Sequence, residues 1–438
     1  MSALALFSHS IGFSVLGSDR TVGVYTERLR REGIRVRIGH RAENLPEDAA
    51  LLVYSLAIPA DAPEYLAALR RGVPVVSRAE YFGALMPLFR TRVGISGSHG
   101  KSTVTAMTER IFSFAYRYPT VFSGAALSDS GSSYRAGGRE TLIYEACEYK
   151  DSFLRFSPTV AVALNLELDH TDYFPTLAAL KDSFRRSLFS APKAIVCADD
   201  ENLRSLLLPS AETEIRTFGF AESADYRIER PVDDHGYFAF TLRRGGERLV
   251  DLSLNLPGAF QMYNAAAATV AALECGISPA LCRAAIACFS GISRRMERVG
   301  SLGARPVYYD YAHHPTEIAA VIRTVQEMHG GALTVVFRPH TFSRTQALFG
   351  AFVEALSAAE YSVILDVDPI REDPIAGVDA AALVSAIGNR ARTLPDREIR
   401  ALPSMLARES EGPILLLGAG RMEDVRQLVC HADRFESP

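Results

Sequence analysis

The chain has 438 residues, of which 48% are hydrophobic and 22% charged, and its formal net charge is −4. That length exceeds one ordinary core and suggests about two to four domains. The charge balance gives no reason to expect nucleic acid as a partner. No apolar run reaches the ~18 residues of a membrane span, and the start lacks the basic region and cleavage site of a signal peptide. The six cysteines (Cys147, Cys197, Cys275, Cys282, Cys288 and Cys430) form no CxxC pair. They read as reduced thiols, mostly packed inside, of a cytoplasmic protein with no membrane partner.

In chain order, short β-branched runs alternate with helical patterns, which argues for an α/β protein with parallel sheets covered by helices. Residues 1–90 carry buried-strand candidates in "LLVYSLAIP" and "VPVVSRAE" on either side of the helical "APEYLAALRRG", as in a small doubly wound domain. From Val93 the rhythm restarts with the strand "RVGIS", a glycine loop, and a helix with Val104, Met107 and Ile111 on one face. Strands follow at "TLIYEA", "TVAVALNL" and "AIVCADD", then "YFAFTL" and "RLVDLSLNL" read as a hairpin around Gly245-Gly246. The helical "NAAAATVAALECG" closes this second block. A third runs from Met296 through "PVYYDYA", "LTVVF", "YSVILDV" and "PILLLG", with Pro315 suited to a first helical position. The division is 1–90, 91–295 and 296–438, with hinges near residues 90 and 296.

The segment Gly97-Ser98-His99-Gly100-Lys101-Ser102-Thr103 lies between a strand and a helix, the context of a phosphate-binding loop. The usual spacing leaves four residues between the glycines; here Ile95 stands where the first would fall. Glycines let backbone N–H groups close on phosphate oxygens, and a helix N-terminus favours an anion. Lys101 would then reach the terminal phosphates and Ser102 would bind Mg²⁺. The bland alternative is a tight turn beside a surface lysine, and the loop alone leaves kinase, ATPase and ligase open. Glu145 ends one strand, and Asp169 and His170 follow another. Ligands of open α/β sheets collect at such carboxyl ends, so Ser102, Glu145 and His170 are candidates to converge on Mg²⁺ and a γ-phosphate. Mg²⁺ prefers oxygen, so His170 reads equally as a turn residue or cap.

"GSHGKST", the stretch "EACEYKDSFLRFSPTVAVALNLELDHTDYF", "FSGISRRMERVG", "YDYAHHPTEI", "RPHTFSRT" and "DPIREDPIAGV" occur in order. With "GSDR", "IGHRAENL", "YSLAIPADAPE" and "VVSRAEYFGALM" near the start, the chain resembles the Mur ligases over its whole length. The family's loop is the short GxxGK(S/T)T form. The resemblance implies a Rossmann-like N-terminal domain for a UDP-sugar, a central P-loop ATPase-like domain, and a Rossmann-like C-terminal domain contacting ATP and the amino acid. The implied reaction joins L-alanine to UDP-N-acetylmuramate with ATP and Mg²⁺, through an acyl phosphate, in peptidoglycan synthesis by a monomer or homodimer. By position, the loop Gly97–Thr103 holds ATP, Lys101 stabilises the phosphoryl group, Ser102 and Glu145 hold a first metal ion, and His170 a second. Asn264 and Arg295 resemble ATP contacts and Asp310 the ribose carboxylate. His314 resembles a nucleotide or substrate contact, while Asp19 and His40 resemble UDP-side contacts. Arg344 resembles the arginine that holds the amino-acid carboxylate, a surface salt bridge being the alternative.

Three features depart from the family pattern. The family's opening strand and glycine loop precede the point where "MSALALF" falls, so the expectation is a first sheet lacking that strand, its neighbour exposed as an edge. Phe260-Gln261 stand where His-Asn is usual, and Arg338 and Thr341 where Gln and Arg are usual. Arg185 falls near the place of a lysine that some sister ligases carbamylate, so no carbamate is expected. Thr341 motivates a rival with altered amino-acid or acceptor specificity. A second rival is a weakly active nucleotide-binding relic, against which Lys101, Glu145, His170 and Asp310 speak together.

Overall fold

The computed structural model describes residues 1–127, 131–207, 212–370, 372–409 and 412–430, so Arg371 of "DPIREDPIAGV" lies outside the described residues. A ten-stranded sheet dominates the middle of the chain. Its parallel centre places Thr91–Ser96 between Val160–Ala163 and Gly138–Glu145, with Lys193–Cys197 and Pro119–Leu127 farther out. The hairpin of Tyr237–Arg244 and Glu247–Pro257 turns at Gly245-Gly246, with Arg244 opposite Glu247. Both glycines have positive φ, which the tight turn requires.

Because Thr91–Ser96 is flanked on both sides by strands reached through crossovers, three carboxyl ends meet there. They deliver the loop 97–100, Glu145 and the segment after Ala163 to one place. This is the switch point at which open α/β sheets bind ligands. The helix Lys101–Phe114 packs on the sheet and on the helices Phe260–Glu274 and Pro279–Ala287. Val104, Met107 and Ile111 are at most 1% exposed.

The six-stranded C-terminal sheet runs Glu297–Leu302, Arg305–Asp310, Ile414–Leu417, Thr334–Phe337, Tyr361–Leu365 and Ala391–Leu394. All neighbours are parallel except the first pair. Alternate residues feed two separate cores, Tyr308 and Leu415 on one face, Tyr309 and Leu416 on the other. Pro315 opens the helix Pro315–His329, with His314 as its N-cap.

The first block differs from a single doubly wound sheet. Its strands form two separate parallel pairs, Leu16–Asp19 with Arg35–Ile38 and Leu52–Tyr54 with Val75–Ser77. Every strand in a two-stranded sheet is an edge, so the expected buried strands 52–54 and 75–77 are mostly half-buried. The apolar start of the chain forms the helix Ser2–Ser10, whose Phe7 packs on Phe89 and Phe122, joining the first block to the central core. The cysteines are free, but only Cys197 and Cys282 are buried, and Cys288 is exposed. No helix among the described residues is long and apolar enough to cross a membrane.

Ile111 sits between sheet and helices with no exposed surface, so Ile111→Ala is expected to cost about 2–5 kcal/mol by lost burial and a residual cavity. Urea unfolding checks this through the midpoint; an unchanged midpoint contradicts the packing described.

Candidate active site

The loop 97–100 is shaped by two glycines. Gly97 has φ 142° and Gly100 φ 82°, and a Cβ on Gly100 would stand 2.7 Å from Asn264 Oδ1. Gly100 caps the helix without a side-chain hydrogen bond, which leaves the first helical N–H groups to an anion. The loop rests on the segment following Val160–Ala163. Asn165 Oδ1 accepts from His99 N at 2.8 Å, and Ser98 Oγ accepts from Glu167 N at 2.8 Å.

Lys101 folds back over this loop. Its Nζ donates to the Gly97 and Ser98 carbonyls and to both oxygens of Glu148, each 3.2 Å away. Burial alone would lower the Lys101 pKa, but Glu148, with Cys147 and Glu145, outweighs it and holds the ammonium above its ordinary range. Glu148 is 2% exposed and also lies 3.7 Å from His170 Nε2. Sequence reasoning overlooked it, although a second acid three residues after Glu145 was a signal. Glu145 itself accepts from Ser123 Oγ at 3.1 Å and from Gly124 N. Glu148 thus links Lys101 to His170, in addition to the expected Ser102, Glu145 and His170. His170, at φ 54°, stacks on Tyr149 with ring centroids 4.7 Å apart.

Asn264, Arg295 and Asp310, far apart in sequence, line one cavity of about 310 Å³ together with His99, Gly100 and Thr103. Leu164, Phe218, Phe260 and Val321 supply apolar wall, and Gln261 donates nothing to Asn264 but accepts from its Nδ2 at 2.9 Å. Asp310 accepts from Met296 N and Ala312 N at 2.8 and 2.7 Å. Burial pushes its carboxyl up to about 6, against the pull of Arg295. Arg295 bonds Glu317 at 3.2 Å.

Charged contacts carry the central block onto the C-terminal one. His99 lies between Glu167, 3.1 Å from Nε2, and Glu317, 3.4 Å from Nδ1. Burial would lower the imidazolium pKa, yet Glu317 and Glu167 hold it up at about 9. Glu167 also accepts from Thr316 Oγ1 at 2.7 Å and lies 3.4 Å from His314 Nδ1. Arg344 donates to Asp169 from Nη2 at 2.9 Å, while its Nη1 meets His340 Nδ1 at 3.0 Å. Both partners are about nine-tenths buried, so the salt bridge Arg344 makes is a buried one, not one on the surface. Burial would raise the Asp169 pKa, but Arg344 outweighs it and holds the carboxylate well below its ordinary range. Arg338 turns elsewhere, donating to Asp366 O at 3.1 Å and Asp396 at 2.7 Å. Thr341 holds φ 66°, an outlier for a β-branched residue. Arg185 pairs with Asp182 on an exposed helix face.

Asp19 ends the first of the paired strands of the first block and His40 follows the second, where Gly39 N donates to Asp19 O at 2.8 Å. His40 Nδ1 lies 3.3 Å from Ser18 Oγ and 3.2 Å from Glu64.

A glycine loop opening a buried helix, an acidic pair beside its lysine, and a nucleotide-sized cavity between two α/β sheets define a three-block phosphate-binding α/β protein. Sequence models agree. Residues 1–90 match the Mur ligase family catalytic domain, 95–272 the Mur ligase middle domain, and 294–420 the Mur ligase glutamate ligase domain. The chain belongs to the Mur ligase family. It is 38% identical to UDP-N-acetylmuramate–L-alanine ligase of Nitratidesulfovibrio vulgaris, covering 98% of this chain and 95% of that one. The same-named protein of Caldicellulosiruptor bescii is 38% identical over 87% of this chain and 85% of its own. The crystal structure of UDP-N-acetylmuramate-alanine ligase from Thermotoga maritima superposes with a TM-score of 0.83 at 25% identity, covering 100% of this chain and 96% of that one.

Asp310 generates a pH dependence. Its carboxyl lies at about 6 in the folded chain against an ordinary 3.8. Its contribution to stability is therefore complete below the ordinary value and lost as pH rises through about 6. Relative to the parent, Asp310→Asn should gain stability as pH rises from about 4 to about 7, read from denaturant midpoints at each pH. A pH-independent difference contradicts the shift.

Proposed function

We propose that the chain is an ATP-dependent ligase that joins L-alanine to UDP-N-acetylmuramate in peptidoglycan precursor synthesis. The observation that carries the ATP part is the single cavity shared by the phosphate loop, Asn264, Arg295 and Asp310. The two other substrates are those in the names of the relatives at 38% identity. ATP and a nucleotide-linked sugar as substrates fit a cytoplasmic protein.

A carboxylate resists amines because its leaving group would be oxide. Transfer of the γ-phosphoryl group to the lactyl carboxylate oxygen gives an acyl phosphate and ADP. The alanine amine then attacks the acyl carbon, and the tetrahedral adduct collapses with loss of phosphate. Most of the acceleration comes from alignment and from charge held ready for the moving phosphoryl group.

In this reading the N–H groups of Gly97–Thr103 and the Lys101 ammonium hold the phosphates, and Lys101 exchanges Glu148 for them. Asp310 takes the ribose, and Asn264 and Arg295 contact the nucleotide, with Phe260 as an apolar wall. His314 faces the nucleotide or the acceptor. Arg344 trades Asp169 for the amino-acid carboxylate, and Asp19 and His40 serve the UDP end. The assigned division is a UDP-sugar domain at 1–90, an ATP domain at 91–295 and an amino-acid domain at 296–438. For Mg²⁺ the oxygens of Ser102, Glu145 and Glu148 would suit a first hard ion, and His170 would serve a second. Such ions would supply positive charge to the phosphates.

A second reading, the same chemistry with another amino acid, is favoured by Thr341 and by Arg338, which is committed to Asp396. Phosphate release from ATP should require both UDP-N-acetylmuramate and an amino acid, with L-alanine the fastest. Lys101→Ala should lower turnover at least ~100-fold, as loss of one transition-state charge partner does. Faster turnover with a different amino acid selects the second reading, and release independent of any amino acid contradicts both.

A further inference from the structure

We propose that His99, Glu167 and His314 form a site for a divalent transition-metal ion of the zinc type, which clamps the central block to the C-terminal one. It goes beyond the ligase reading and does not depend on it. Each of these three residues offers a ligand atom, and those atoms all lie within 4.8 Å of one another. His99 Nε2 is 3.1 Å and His314 Nδ1 3.4 Å from the same Glu167 oxygen. Ligand atoms around a tetrahedral ion with bonds of roughly 2.0–2.1 Å stand ~3.3 Å apart, so little movement is needed to admit one. Two imidazoles and one carboxylate are the ligands of an open zinc site, with a fourth position free.

The surroundings point the same way. His99 turns its other nitrogen, Nδ1, to Glu317 at 3.4 Å, the carboxylate–histidine arrangement that orients metal-bound imidazole. His314 is 5% exposed, and its Nε2 has no hydrogen-bond partner among the described residues. Its Nδ1 accepts only a long 3.4 Å bond from Thr316 N. This ring is buried without a strong competing bond to hold it away from an ion. The set shares no residue with Ser102, Glu145 and His170, and its nitrogen content favours a softer ion than Mg²⁺.

His99 lies in the phosphate loop and Glu167 in the adjacent segment, whereas His314 caps the helix of the C-terminal sheet. An ion bound by all three ties the blocks together and favours the closed arrangement by linkage.

The test titrates the metal-free full chain with Co²⁺ alone, following the visible absorption of four-coordinate cobalt. One equivalent should bind and be displaced by Zn²⁺. His99→Gln, Glu167→Gln and His314→Gln should each weaken binding at least ~10-fold, as loss of a metal's supporting groups does. His170→Gln and the surface change His9→Gln should leave it intact, and circular dichroism checks that each variant is folded. In X-ray scattering one equivalent of Zn²⁺ should shrink the radius of gyration of the parent but not of His314→Gln. Failure to bind cobalt, binding that survives all three changes, or binding lost with His170→Gln overturns the proposal. L-alanine-dependent phosphate release without added zinc tests the ligase reading separately.

Discussion

The Lys101–Glu148 pair is the contact around which the site is organised. A buried ammonium without a counter-charge would lose its proton or unfold its surroundings. Glu148, itself almost wholly buried, supplies that charge and with the Gly97 and Ser98 carbonyls draws the lysine over its own loop. The left-handed Gly100 keeps the helix start open, and Asn165 fixes His99 from below.

Around this pair other buried charges are matched as well. Asp169 holds Arg344, and Glu317 holds Arg295 and His99. The Asp169–Arg344 and Glu317–His99 contacts join the central block to the C-terminal one, so their packing has its own electrostatic stabilisation. In the proposed ligase, binding would be an exchange of partners rather than the desolvation of free charges, which would limit the cost of ordering the site.

Much of the fold was legible because the central strands of the two larger sheets are buried on both faces and read as continuous apolar runs, such as "PVYYDYA" and "PILLLG". Leu16–Asp19 and Arg35–Ile38 escaped notice because "LGSD" and "RVRI" are short, polar edges. The phosphate loop was legible because its backbone demands glycine where only glycine fits. Glu148, Asn165, Glu167 and Glu317 were not, since acids and amides in loops carry no spacing rule. Their meaning arises when the fold joins Glu167 to Thr316 and Asp169 to Arg344 across blocks distant in sequence.

The most direct test of the partner-exchange account is the affinity for ATP, added without divalent cation, of the parent and of Glu148→Gln. If Lys101 leaves Glu148 for the phosphates, removing that carboxylate's charge must tighten nucleotide binding, at least ~10-fold for a coupling of about 1.4 kcal/mol, by isothermal calorimetry. Equal or weaker binding would mean that Lys101 keeps Glu148 when ATP is bound, and the account would fail.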